Sequence, residues 1–316
     1  MPTAERPALE LRARLLQTVR RFFADRGFLE VETPLLSADT VVDRHIDPLC
    51  AHAPDHPSLV GWLQTSPEFC MKRLLATGQY EAIFQITRAF RAGEQGPRHN
   101  CEFTIVEWYR VGDDAAAGMR LLSDLADAAL ARGEARVVSY RQAFEKHANC
   151  DPHRDSAQRL AAVCAERGLH PPAGLDRDGL LDFMLVELVA PQLGRTAPEI
   201  LCDYPASQAA LAQVCVDVAG DRVAERFELF VDGMELANGY HELLDPTELA
   251  RRSAEGNVLR REDGKSELPA DSRLLAAMRH GLPACSGTAL GFDRLAMIAL
   301  GAASIDEVWA FPFGRA

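Results

Sequence analysis

The chain has 316 residues, 47% of them hydrophobic and 25% charged, with a formal net charge of -12. It is long enough to bury a full core as one large domain or one domain with an insertion, and its acid excess argues against broad, sequence-independent nucleic-acid binding. No apolar run reaches bilayer length, the opening Met1-Pro2-Thr3-Ala4-Glu5-Arg6 is no signal peptide, and eight cysteines without a C-x-x-C or Cys/His cluster argue against zinc and disulfides, so a cytoplasmic protein with reduced thiols and no membrane contact is expected.

Leu11, Leu15, Val19, Phe22 and Phe23 recur at helical spacing before Gly27, which predicts a helix over about 9–26. Phe28 to Thr33 reads as a strand ended by Pro34, and Gln64 to Pro67 as a loop entering a helix that carries Met71, Leu74 and Leu75. Strands over about 82–90 and 103–110 flank a glycine-containing loop and form an antiparallel hairpin with a long tip. From about 112 to 222 the chain is Ala-, Leu- and Asp-rich, which suggests a mainly helical insertion. Asp232-Gly233 then gives a two-residue hairpin turn between strands 227–231 and 234–237. Residues 253–271 are polar enough to predict a mobile surface stretch, and Gly291-Phe292-Asp293 opens an apolar helix through Leu300.

Two stretches fit together as halves of one site: Phe90-Arg91-Ala92-Gly93-Glu94 with Asn100-Cys101-Glu102-Phe103, and Gly287 to Arg294. Each sets an arginine, a planar and permanently charged donor fork, beside backbone that can approach a polyphosphate closely. With no G-x-x-x-x-G-K-[ST] run in the chain, the pair points to ATP chemistry without a P-loop. Strand parity puts Phe103, Ile105, Glu107 and Tyr109 on one face, which suits a ligand floor. A covered sheet face with Glu107 in a structural ion pair is the alternative. If Asp232-Gly233 is the turn, Phe230 faces Glu235 and Glu228 shares that face, so two hard carboxylates converge as Mg²⁺ bridged to phosphates requires; a solvated strand face is the competing reading. Glu242 returns to that face only through a bulge, for which Asn238-Gly239 is the expected place.

These motifs resemble the class II aminoacyl-tRNA synthetases of the lysyl subgroup over nearly the whole chain. The long helix with Val31-Glu32-Thr33-Pro34 is similar to their first motif, Phe90-Arg91 through Glu102-Phe103-Thr104 to the second, and Gly291-Phe292-Asp293-Arg294 to the third. Thr65-Ser66-Pro67-Glu68 and Glu235-Leu236-Ala237-Asn238-Gly239-Tyr240-His241-Glu242 are lysyl-type signatures. The resemblance implies an α+β fold, an antiparallel sheet flanked by helices, with ATP and Mg²⁺ as cofactors and a homodimer built on the first motif. The first motif begins so early that no anticodon-binding OB domain is expected. That economy, with Tyr204-Pro205-Ala206-Ser207-Gln208 and Ser286 to Gly291, resembles the ligases that attach (R)-β-lysine to elongation factor P rather than to tRNA.

Carried over by position, the resemblance implies that Arg91 contacts the α-phosphate, Arg294 the γ-phosphate, and Phe103 the adenine ring. Ala92, Gly93, Asn100, Glu235, Leu236 and Gly291 complete the nucleotide site, and Glu228 and Glu235 hold Mg²⁺. Ser66, Pro67, Glu68, Tyr109 and Glu242 line the amino-acid pocket. Ala289 stands where lysyl enzymes carry glycine, and its methyl group reshapes that pocket. The chain departs from the common F-R-N-E pattern, with Ala92 and Gly93 after Arg91 and the acid displaced to Glu94. A ligase acting on tRNA or a small amine, and an inactive synthetase-like module that regulates by binding, are the competing functions. Both arginines and all three glutamates speak against the inactive module.

Overall fold

The computed structural model describes residues 2–316, and its contacts divide the chain into two units: residues 1–114 with 242–316, and residues 115–241. In chain order the first unit contributes α1 (Arg6–Ala24), β1 (Leu29–Glu30), β2 (Leu36–Ser37), β3 (Cys50–Ala53), β4 (His56–Leu63), α2 (Glu68–Leu75), β5 (Ala82–Phe90) and β6 (Glu102–Val111). The second holds α3 (Ala115–Leu130), β7 (Arg136–Ser139), α4 (Tyr140–Ala148), α5 (Ala157–Glu166), α6 (Arg177–Met184), β8 (Glu199–Pro205), β9 (Val214–Val216), β10 (Arg222–Val231) and β11 (Met234–His241). The first unit then resumes with α7 (Pro246–Glu262), α8 (Arg273–Met278), β12 (Cys285–Gly291) and α9 (Phe292–Leu300).

In the first unit, β5 and β6 pair antiparallel from Ala82 opposite Arg110 to Phe90 opposite Glu102, as the sequence suggests, and β12 lies antiparallel along the other side of β6. The strand expected over 28–33 shrinks to β1, parallel to β5. Val31 still donates to the Phe84 carbonyl, but Thr33 turns its hydroxyl to Gln85, and Pro34 has no N–H with which to extend the ladder. The apolar stripe of α1 packs inside its own unit: Leu15, Val19, Phe22 and Phe23 are buried, and Phe23 stacks on Phe84 with ring centres 4.6 Å apart and meets Trp108 at 5.2 Å.

The stretch read as mobile over 253–271 is largely the second half of α7. Asp245 caps this helix by accepting from Thr247 N, Pro246 fills its first position, and Glu248 pairs with Arg251 and Arg252. Arg260 is buried and donates to the carbonyls of Asp43, Ile46 and Ser266 and to the Asp47 carboxylate. Charged residues satisfied in this way make an ordered helix whose polarity misleads a composition-based reading.

In the second unit the strand order is β11-β10-β8-β7, with β9 on β10; β7 is parallel to β8 and the other pairs are antiparallel. The segment 112–222 holds four α-helices and also β7, β8 and β9. Ser139, Ser156 and Asp176 cap α4, α5 and α6, and Tyr140, Phe144, Leu160, Leu181, Met184 and Tyr204 meet in the core. Asp232 and Gly233, with φ of 52° and 75°, turn β10 into β11, a geometry in which glycine avoids the cost of a Cβ.

All eight cysteines are free, five of them buried. No helix among the described residues is long and apolar enough to cross a membrane.

Candidate active site

The hairpin of β5 and β6 carries the residues that the resemblance assigns to the nucleotide. Arg91 follows the last residue of β5; its N–H donates to the Cys101 carbonyl and its Nε to the Thr65 carbonyl at 3.3 Å, joining the hairpin to the loop before α2. The guanidinium lies over the Phe103 ring, 5.0 Å from its centre, so cation and ring form one platform. Glu94 reaches Arg91 at 3.5 Å, and the Ala92 N–H is taken by the Asp47 carbonyl. Asn100 is buried and spends its amide on the backbone, donating to Glu102 O at 2.6 Å and accepting from Phe313 N at 3.0 Å. Its placement holds the hairpin tip in shape.

Gly291 precedes the first turn of α9, which presents Arg294. Arg294 donates to His99 Nε2 at 2.5 Å, and burial together with the Arg294 charge lowers the His99 pKa, so the ring accepts as a neutral imidazole. Asp293, also buried, accepts from Thr104 N at 2.8 Å and pairs with Arg12 of α1 at 2.6 Å. The motif residue beside Arg294 is thereby tied to both α1 and β6.

The residues that the resemblance assigns to the amino acid lie in the first unit, with several buried carboxylates among them. Ser66 Oγ accepts from Glu68 N at 3.4 Å, Pro67 occupies the N-cap position of α2, and Glu68 begins that helix. One turn later, Lys72 reaches Glu68 at 2.5 Å and pairs with Glu242 as well. Burial alone would lower the Lys72 pKa, but the charges of Glu242 and Glu68 outweigh it and hold the ammonium above its ordinary range. Tyr109 donates its hydroxyl to Glu107 at 2.6 Å along the same face of β6. Burial, reinforced by the Glu68 charge, pushes the Glu107 carboxyl up to about 8; burial, reinforced by Glu68 and opposed by Lys72, pushes Glu242 up to about 8. Glu107 Oε2 and Glu242 Oε1 are buried without a hydrogen-bond donor. Such acceptors are costly when left unmade and are what an ammonium ligand would satisfy.

β12 extends this surface as the strand next to β6. Gly287 pairs with Tyr109 and Ala289 with Glu107. A Cβ on Gly287 would stand 2.1 Å from Tyr109 Cε1 and 2.4 Å from Glu242 Oε1, so only glycine leaves the tyrosine and the carboxylate in place. Ala289, half-buried, is the next residue on that face and the nearest point at which a methyl can narrow the space over Glu107.

Within the second unit Phe230 faces Glu235 across the turn, Glu228 pairs with Arg226, and the Glu235 charge contributes to raising the Glu228 pKa, behind burial and against Arg226. The bulge lies at Leu236, between the Phe230–Glu235 and Leu229–Ala237 pairs, and not at Asn238-Gly239, where the ladder continues unbroken. Leu236 is buried. Glu242 follows β11, belongs to the first unit and pairs with Lys72. Two adjacent carboxylates fit a hard divalent ion that takes its remaining ligands from water and phosphate; among the described residues no group of three or more His, Cys, Asp or Glu forms a fuller metal site.

Sequence reasoning missed Lys72, His99 and Asp293. Lys72 stands four residues after Glu68 on a helix, the spacing of an ion pair, but its apolar neighbours Met71 and Leu75 disguise it as a flank of the core stripe.

A family model for class II tRNA synthetases (D, K and N) matches residues 3–315. Proteins named "Elongation factor P--(R)-beta-lysine ligase" from Salmonella typhimurium and Vibrio cholerae are each 44% identical over 320 and 321 residues, covering 100% of this chain and 98% of theirs.

Proposed function

Because the chain belongs to the class II tRNA synthetases of the D, K and N type, we propose that it is an ATP-dependent ligase that activates (R)-β-lysine as an acyl-adenylate and transfers it to a lysine side chain of elongation factor P. The observation that carries the reading is the pair of buried carboxylate acceptors without donors, Glu107 Oε2 and Glu242 Oε1. A pocket of this kind takes a substrate through its ammonium groups and leaves its carboxylate for chemistry.

In the first step the substrate carboxylate attacks the α-phosphorus of ATP, the bond to the β-phosphate oxygen breaks, and pyrophosphate leaves. Arg91 faces the charge that builds on the α-phosphate, Arg294 holds the γ-phosphate end, and Phe103 stacks on adenine, with Ala92, Gly93, Asn100 and Gly291 shaping the nucleotide side. In the second step an acceptor lysine amine attacks the acyl carbon and AMP leaves. Ser66, Pro67, Glu68, Tyr109 and Glu242 orient the diamino acid, and positioning supplies most of the acceleration. Glu228 and Glu235, with Leu236 beside them, are assigned to Mg²⁺, which when bound neutralises phosphate charge. A homodimer and a cytoplasmic location complete the proposal. The dimer rests on the family, and free thiols throughout the chain suit a reducing compartment.

The test is amino-acid-dependent pyrophosphate exchange with ATP, followed by transfer to purified elongation factor P. Exchange with (R)-β-lysine and covalent addition to the factor are expected. Exchange followed by charging of tRNA instead would overturn the acceptor assignment.

A further inference from the structure

The segment 304–313, which follows α9, has no part in the reaction as written, yet it grips the tip of the β5–β6 hairpin at two points. Ile305 N donates to the Pro97 carbonyl at 2.7 Å, and Phe313 N donates to Asn100 Oδ1 at 3.0 Å. The middle of the segment is itself anchored. The Trp309 and Ala310 carbonyls accept from Ala4 N and Thr3 N at 3.0 and 2.9 Å, and the Thr3 hydroxyl adds a bond to Trp309 O at 2.7 Å. The Arg88 guanidinium of β5 lies over the Trp309 ring, 4.5 Å from its centre.

We propose that this segment is a strut for the nucleotide site and that Phe313, through its backbone N–H, is a positioning residue for ATP. Its bond decides which way the buried Asn100 carboxamide faces. With Oδ1 taken by an N–H, the amide nitrogen is left to donate to Glu102 O at 2.6 Å; the opposite orientation would set donor against donor and acceptor against acceptor. The neighbouring carbonyl, Cys101 O, accepts the Arg91 N–H at 2.9 Å, and Phe103 lies under the Arg91 guanidinium. One buried amide therefore fixes the two strand ends from which Arg91 and Phe103 project. Without the Phe313 donor that order has to be supplied when the nucleotide binds, and it is lost from affinity. The inference rests on the reading of this hairpin as the ATP site.

The local backbone allows this single donor to be removed. Phe313 is the first residue of a short 3₁₀ turn, Phe313–Arg315, a position where a helical N–H has no partner within the turn and proline is well tolerated. Pro312 before it is extended, with φ of -66° and ψ of 161°, as a residue preceding proline must be. The Phe313 side chain is 61% exposed, so its loss empties no core space. Phe313→Pro thus deletes the N–H, and Phe313→Ala deletes the ring and keeps the N–H.

The test compares these two variants of the full chain in pyrophosphate exchange. Relative to Phe313→Ala, Phe313→Pro is expected to raise KM for ATP at least about fivefold, the scale of one hydrogen bond, and to leave kcat and KM for (R)-β-lysine within about twofold. In an Asn100→Ala background, where the N–H has no acceptor, the two variants are expected to have the same KM for ATP. A merely structural proline effect would persist there. Reciprocity supplies a second measurement on the wild type that needs no variant to fold: a non-hydrolysable ATP analogue must slow hydrogen exchange of the Phe313 amide, by about the factor that the bond contributes to ATP affinity. Equal KM values for the Pro and Ala variants, a difference that survives in Asn100→Ala, or Phe313 exchange unmoved by bound nucleotide overturns the inference. A wild type that does not bind the analogue overturns the ATP-site reading itself, whereas normal binding with an unresponsive Phe313 amide overturns only the strut.

Discussion

Ala289 and Gly287 stand on one strand opposite Glu107 and Tyr109, and the difference between them is a methyl group. Gly287 cannot accept one, since its Cβ would lie within the van der Waals envelope of Tyr109 and Glu242. Ala289 carries one, at the strand position paired with Glu107. A methyl in a packed pocket is worth about 1–3 kcal/mol of discrimination. Wild type is therefore expected to activate (R)-β-lysine in preference to α-lysine, and Ala289→Gly to narrow the ratio of kcat/KM values; an unchanged ratio would remove Ala289 from selectivity. Arg91→Ala and Arg294→Ala are each expected to lower pyrophosphate exchange about 10²–10³-fold with the fold intact, because a phosphate donor that acts on developing charge is lost. Near-normal exchange in both variants would displace the ATP site from this hairpin.

The raised carboxyls give a pH dependence of definite sign. Glu107 and Glu242 have an ordinary value of 4.5 and are pushed up to about 8 in the folded pocket, so between these values the folded state holds more protons than the unfolded one. Stability of the ligand-free protein falls as pH rises from about 5 to about 8, and diamino-acid affinity climbs over the same window as the carboxylates ionise. Denaturation midpoints and calorimetric affinity at pH 6, 7 and 8 check both trends. Stability rising through that window would show that these groups are not buried as described.

Among elements, α2 and α7 show what the sequence reveals and what it conceals. The β5–β6 hairpin, the Asp232-Gly233 turn and α9 follow from alternation, turn chemistry and apolar periodicity, all local signals. In α7 the periodic apolar signal is missing, and order comes from Arg260 reaching carbonyls of residues 43 and 46, more than two hundred positions away. No local reading finds such partners. The Lys72 pair with Glu242 is long-range in the same way, whereas its pair with Glu68 has an i,i+4 spacing that the apolar neighbours conceal. The bulge at Leu236 was likewise displaced from the expected Asn-Gly, because a glycine permits a bulge without requiring one. If Arg260 organises α7, Arg260→Ala is expected to destabilise the protein by about 3 kcal/mol, through stranded buried acceptors, while the half-exposed Arg261→Ala costs at most about 0.5 kcal/mol. Equal effects in urea denaturation would show that α7 does not depend on this anchor.

For the whole molecule, the central claim is a division of labour: synthetase chemistry from the motif arginines and the acidic pocket, with a protein rather than tRNA as acceptor. The family match and the relatives named for elongation factor P modification agree with it across the full chain. A homodimer is the expected assembly, and a monomeric mass across a wide concentration range would remove it from the account. The most direct measurement is the intact mass of purified elongation factor P after incubation with this protein, ATP and (R)-β-lysine. The account predicts that the factor gains the mass of one β-lysyl group, in an ATP-dependent reaction lost with Arg91→Ala. A factor of unchanged mass, in a reaction that still consumes ATP with (R)-β-lysine, would contradict it.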